Sequence, residues 1–93
     1  MSHNSLEVEV IILNRLGLHA RPASRFASLA SEFESDVRLI KDDAVVDGKS
    51  ILEVLTLACP MGSRLKVRAS GPDASAAVLA LKALIESGFG ERD

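Results

Sequence analysis

The chain has 93 residues, of which 47% are hydrophobic and 26% charged, and a formal net charge of −2. That length predicts one domain over residues 1–93 with a small core. The scattered basic residues argue against a nucleic-acid footprint, no apolar run reaches the roughly 18 residues of a membrane span, and the single cysteine, Cys59, excludes an intrachain disulfide and fits a reducing compartment. A cytoplasmic monomer without membrane insertion is expected.

Met1 to Ser5 is polar and reads as a flexible start without a signal peptide. Leu6 to Leu13 predicts a strand, with Leu6, Val8, Val10 and Ile12 on one face and Glu7 and Glu9 on the other. Asn14 to Leu18 is a loop. A helix follows from Ala20 to about Glu32, its apolar stripe made by Ala23, Phe26, Ala27, Ala30 and Phe33. Strands are predicted over Asp36 to Lys41 and around Ala44 to Val46, joined by a turn at Asp42-Asp43. A short second helix spans Ser50 to about Ala58, headed by the capping box Ser50-Ile51-Leu52-Glu53. Cys59 reads as a small buried residue near its end.

Arg64 to Ser70 has the clearest alternation: Leu65, Val67 and Ala69 against Arg64, Lys66 and Arg68. After Gly71-Pro72, Asp73 is expected to cap a third helix ending near Ser87, with Ala77, Val78, Leu81, Leu84 and Ile85 inward and Gly88 as its C′ residue. The order is strand, helix, strand, strand, helix, strand, helix. One-sided strands and helices imply an α/β (α+β) two-layer, open-faced sandwich, with a four-stranded antiparallel sheet covered on one face by three helices.

The chemistry concentrates in Leu16-Gly17-Leu18-His19-Ala20-Arg21-Pro22. His19 falls where a strand hands over to a helix N-terminus, whose unpartnered N–H groups and partial positive charge stabilise an anion. Gly17 permits a turn with positive φ, Pro22 suits a first helical turn, and Arg21 brings a donor fork matched to phosphate oxygens. The helix end and Arg21 both disfavour a charged imidazolium, leaving a neutral nucleophile. An isolated histidine in a turn is most often inert. Here Gly, His, Arg and Pro each have a separate reason to be present if His19 accepts a phosphoryl group. No second acid, base or metal-ligand cluster accompanies it, so no metal or cofactor is expected. Gly48-Lys49-Ser50 resembles the end of a P-loop, but that motif needs glycine where Asp43 stands.

Gly17-Leu18-His19-Ala20-Arg21-Pro22-Ala23 resembles the active-site signature of the HPr family, the histidine-containing phosphocarriers of the bacterial phosphotransferase system, and the likeness runs from about Leu6 to Phe89. Lys49-Ser50-Ile51-Leu52 resembles the family's regulatory-serine segment. The resemblance implies strand order 1-4-2-3. It implies that His19 takes phosphate on Nδ1 from phosphorylated enzyme I and passes it to an enzyme II A-type domain. Arg21 would support transfer, and the helix-start amides from Ala20 and Arg21 onward would contact the phosphate. Ser50 would be the target of an HPr kinase. Ser24, Arg25, Ile51, Leu52 and Leu55 are candidates for partner docking, while Phe26 and Val54 read as core. Such a protein is a stoichiometric relay rather than an enzyme.

Members of the sugar-transport branch often carry lysines on this face, where this chain has Ser28, Ser31 and Glu53. The tail Ser87-Gly88-Phe89 resembles the nitrogen-type paralogue. Both sugar uptake and a regulatory phosphorelay are therefore open. An anion-binding regulatory module without covalent chemistry is the alternative, and a free-standing hydrolase or transferase the poorest reading.

Overall fold

The computed structural model describes residues 5–91. The polar start as far as Asn4, including His3, lies outside them. Its strands are β1 (Ser5–Ile11), β2 (Asp36–Lys41), β3 (Ala44–Asp47) and β4 (Arg64–Ser70), and its helices α1 (Ala20–Ala30), α2 (Ile51–Leu55) and α3 (Ala74–Glu86). A 3-10 turn, Gly88–Gly90, follows α3.

The strands form one antiparallel sheet in the order β1-β4-β2-β3. Period-two alternation puts Leu65, Val67 and Ala69 of β4 beside Val37 and Leu39 of β2 on the buried face. Phe26, Ala27 and Ala30 of α1 and Ala77, Val78, Leu81 and Ile85 of α3 supply the opposing layer, and Val54 of α2 is fully buried as well. At roughly 25 cal/mol per Å² of apolar area, this packing is the main term holding so small a domain together. On β1 burial deepens along the strand: Leu6 is exposed at the sheet edge, Val8 half-buried and Val10 buried, as is Ile12 just past its end.

On the open face Glu7 registers with Arg68 and Glu9 with Lys66. Both cations converge on Glu7, with Lys66 Nζ at 3.6 Å and Arg68 Nε at 3.2 Å. Glu9 makes no ion pair among the described residues. These exposed pairs contribute at most about 1 kcal/mol each. The face is not wholly polar, since Ile11 and Val45 are exposed on it and Ile40, registered with Val45 and Lys66, is buried.

Three local expectations need correction. The second helix stops at Leu55, well before Ala58. Thr56 turns its hydroxyl back onto the Glu53 carbonyl at 2.6 Å, the Thr56 and Leu57 amides bond three residues back, and Ala58 has φ +50. α1 ends at Ala30 rather than Glu32, tightening into bonds from Glu32 to Leu29 and from Phe33 to Ala30. Asp73 does not cap α3 with its side chain. Its carboxylate instead accepts from the Glu34 amide, the Ser35 amide and the Ser35 hydroxyl at 2.9, 2.9 and 2.6 Å. This ties the α1–β2 connection to the start of α3 and satisfies the buried Ser35.

Candidate functional site

The His19 loop is fixed by backbone contacts on both sides. Asn14 and Gly17 close a turn, Gly17 N to Asn14 O at 3.1 Å, and the Asn14 amide group donates to the Gly17 carbonyl at 2.6 Å. Gly17 has φ +72. The Leu18 amide then donates to the Cys59 carbonyl at 2.8 Å, and Leu18 and Cys59 are both buried. Burial pushes the Cys59 thiol above its ordinary range, with a small opposing pull from Lys41. That suits an inert core residue.

His19 is the N-cap of α1, in extended backbone conformation, and its side chain makes no capping bond. The imidazole is therefore not consumed in closing the helix. The amides of Ala20 and Arg21 have no hydrogen-bond partner among the described residues, Pro22 has no N–H to offer, and the Ala23 amide is the first to find a helical acceptor, the His19 carbonyl at 2.9 Å. Pro22 thus occupies the last position where its missing donor costs nothing. No acidic residue lies in the first turn, so α1 does not neutralise its own positive end. Arg21 is exposed and makes no hydrogen bond or ion pair among the described residues.

The tail completes the site. Phe89 is fully buried, with φ +59, and the guanidinium of Arg25 donates to its carbonyl. This anchors the 3-10 turn against α1. The next residue but one, Glu91, then reaches the histidine: its Oε1 accepts from Asn14 Nδ2 at 3.0 Å, and its Oε2 lies 3.3 Å from His19 Nε2. Nε2 is buried and has no aligned hydrogen-bond partner, whereas the His19 side chain as a whole is 37% exposed. The exposure belongs to the rest of the ring.

Of the residues singled out in the sequence, His19, Ala20 and Arg21 come together at one helix end. Arg25 is exposed but spends a donor on the tail. Ser24 is half-buried on α1. Ile51, Leu52 and Leu55 are all exposed on α2, Leu52 at 78%, while Val54 alone of that helix is buried. Leu16 and Met61, on the two loops that meet at Gly17 and Pro60, are exposed as well. Ser50 caps α2, accepting from the Glu53 amide at 3.2 Å. The capping box is only half closed, because the Glu53 carboxylate accepts from the Asp47 amide instead of the Ser50 amide. Sequence reasoning missed Glu91 and the roles of Asn14 and Phe89. Among the described residues no group of three His, Cys, Asp or Glu side chains could hold a metal ion, and no helix is long and apolar enough to cross a membrane.

A four-stranded antiparallel sheet backed by helices, with a histidine at a helix N-cap that makes no capping bond, defines a small open-faced α+β protein. The family model described as the PTS HPr component phosphorylation site matches residues 6–87. Phosphocarrier protein HPr of Neisseria meningitidis is 41% identical over 92% of this chain and 97% of its own length. Phosphocarrier protein NPr of Shewanella violacea is 40% identical over 92% of this chain and 94% of its own. The crystal structure of HPr from Thermoanaerobacter tengcongensis superposes with a TM-score of 0.90 at 43% identity, over 95% of this chain and 99% of that one. The chain belongs to the HPr phosphocarrier family of the phosphotransferase system.

Proposed function

We propose that this protein accepts a phosphoryl group on Nδ1 of His19 from phosphorylated enzyme I and delivers it to an enzyme II A-type domain. The observation that carries this reading is the division of the imidazole: Nε2 is buried against Glu91, which leaves Nδ1 as the nitrogen a donor can meet. The Nδ1 lone pair attacks phosphorus as the bond to enzyme I breaks. Nearly all the help a protein can give such a transfer is positioning and charge stabilisation.

The amides of Ala20 and Arg21 and the guanidinium of Arg21, which have no partner among the described residues, are the donors for the phosphoryl oxygens. Charge-assisted bonds of this kind contribute about 1.5–3 kcal/mol each, while the helix end adds roughly 0.3–1 kcal/mol. These magnitudes hold a phosphate without trapping it, as a relay requires.

Docking falls to the exposed Ile51, Leu52 and Leu55 of α2 with Ser24 and Arg25 of α1, since exposed leucines beside such a site favour a partner surface. Ser50 serves as the regulatory position for an HPr kinase. A phosphate there would meet the start of α2 but oppose Glu53 and add negative charge beside the docking residues. The relay serves sugar uptake or a regulatory phosphorelay according to which acceptor it meets. The test is onward transfer: purified phosphorylated protein, mixed with a purified enzyme II A domain, loses its phosphoryl group as the acceptor gains one. Loss to water alone would contradict the carrier role.

A further inference from the structure

We infer that Glu91 is a positioning residue for His19, holding the ring in the tautomer that leaves the Nδ1 lone pair free. The inference rests on the reading of His19 as phosphoryl acceptor and deepens it. Glu91 is only 13% exposed at its side chain, with one carboxylate oxygen hydrogen-bonded and the other turned to the His19 ring. Oε1 is held by Asn14 Nδ2, whose other acceptor, the Gly17 carbonyl, belongs to the same loop that presents His19. Oε2 is the charged atom facing His19 Nε2, at 3.3 Å.

A buried ring nitrogen without an aligned acceptor is costly unless a partner stands beside it. An ionised carboxylate accepts only, so the ring atom it favours is an N–H. Placing the proton on Nε2 puts the lone pair on Nδ1.

The charge accounting fits the transfer. Attack requires a ring with its proton on Nε2 and none on Nδ1. The Nδ1 lone pair forms the N–P bond while the bond from phosphorus to the donor breaks and its electrons leave with the donor. The ring becomes cationic without gaining or losing a proton. Glu91 then faces a positive ring and stabilises it. When phosphorus departs to the acceptor, the N–P electrons return to Nδ1 and the Nε2 proton is still in place. No separate base is required.

The tail is built to deliver this carboxylate. The Arg25 bond to the Phe89 carbonyl and the buried Phe89 ring fix the turn that precedes Glu91. The substitutions Glu91→Ala and Glu91→Gln leave that anchor untouched, so the fold is retained.

The experiment measures two quantities on wild type and both variants. One is the rate of phosphorylation by phosphoenolpyruvate and enzyme I. The other is the ¹⁵N chemical shifts of the His19 ring, which distinguish the two neutral tautomers. Glu91→Ala is expected to raise the share of the Nδ1–H tautomer and slow acceptance about fivefold, the scale of a partly exposed charge contact. Glu91→Gln, which keeps an acceptor oxygen but no charge, is expected to retain the Nε2–H tautomer and still accept slowly. Wild-type rates and ring shifts in both variants would overturn the role of Glu91 while leaving His19 as acceptor. A wild-type protein that is never phosphorylated would overturn the underlying reading, and this one with it.

Discussion

Gly17 and Cys59 touch backbone to backbone: a Cβ on Gly17 would stand 2.4 Å from the Cys59 carbonyl oxygen and 2.9 Å from the Cα of Pro60. The same carbonyl accepts from the Leu18 amide at 2.8 Å. The loop carrying His19 is thus clamped to the segment following α2, and only glycine combines the positive φ with that approach. Gly17→Ala is expected to destabilise by about 1–2 kcal/mol from the left-handed conformation alone, with the backbone clash adding to it. Urea denaturation measures the loss, and a variant as stable as wild type would contradict the clamp.

Arg21 is the exposed donor assigned to the phosphoryl oxygens. Arg21→Glu is expected to slow phosphoryl acceptance by one to two orders of magnitude, the scale of about 1.5–3 kcal/mol for a charged hydrogen bond. Its unfolding free energy should stay within about 0.5 kcal/mol, since Arg21 supports no structure among the described residues. Stopped-flow transfer and thermal melts separate the two effects. Unchanged rates would remove Arg21 from the site.

Neighbouring positions on α2 should behave oppositely. Val54 is fully buried, and Val54→Ala is expected to cost about 2 kcal/mol of stability. Leu52 is 78% exposed, so Leu52→Glu should leave stability within about 0.5 kcal/mol while weakening the encounter with enzyme I. Calorimetric binding and denaturation report each. Wild-type affinity in the Leu52 variant would place docking elsewhere.

Asp73 gives the fold an acid-sensitive tie. The Ser35 hydroxyl, then the Glu34 and Ser35 amides, hold its carboxyl below the usual carboxylate range. A lowered folded-state value means stability present above the unfolded-state pKa of about 3.9 and lost as pH falls through the folded value. Asp73→Asn should therefore be less stable than wild type at neutral pH, with the gap closing below about pH 4. Urea midpoints at both ends of that range test it; a gap of constant size would contradict the tie.

The parts of this protein legible in its sequence are those written in local periodicity. The alternation Arg64 to Ser70 placed Leu65, Val67 and Ala69 inward, and the 3.6-residue stripe placed Phe26 and Ala30. Gly17 before His19, and Arg21 just inside the helix, marked the candidate site by turn and anion chemistry, and the structure places them at the start of α1 with Gly17 at positive φ. What escaped was non-local or competitive. Asn14 and Glu91 meet across 77 residues with no pattern linking them. Phe89 follows the end of α3 at Glu86, where helical spacing no longer assigns a face. Asp73 had a choice between its own helix and Ser35, and the buried serine won. Thr56 and Ala58 cut α2 short through a side-chain bond and a left-handed residue that apolar spacing does not encode.

The most direct measurement is the intact mass of the protein after incubation with phosphoenolpyruvate and enzyme I, before and after brief acid treatment, for wild type and His19→Ala. The account predicts one added phosphoryl group on wild type, lost in acid, and none on the variant. An acid-stable adduct, or a variant that still gains the group, would contradict the assignment of His19 as the phosphoryl acceptor.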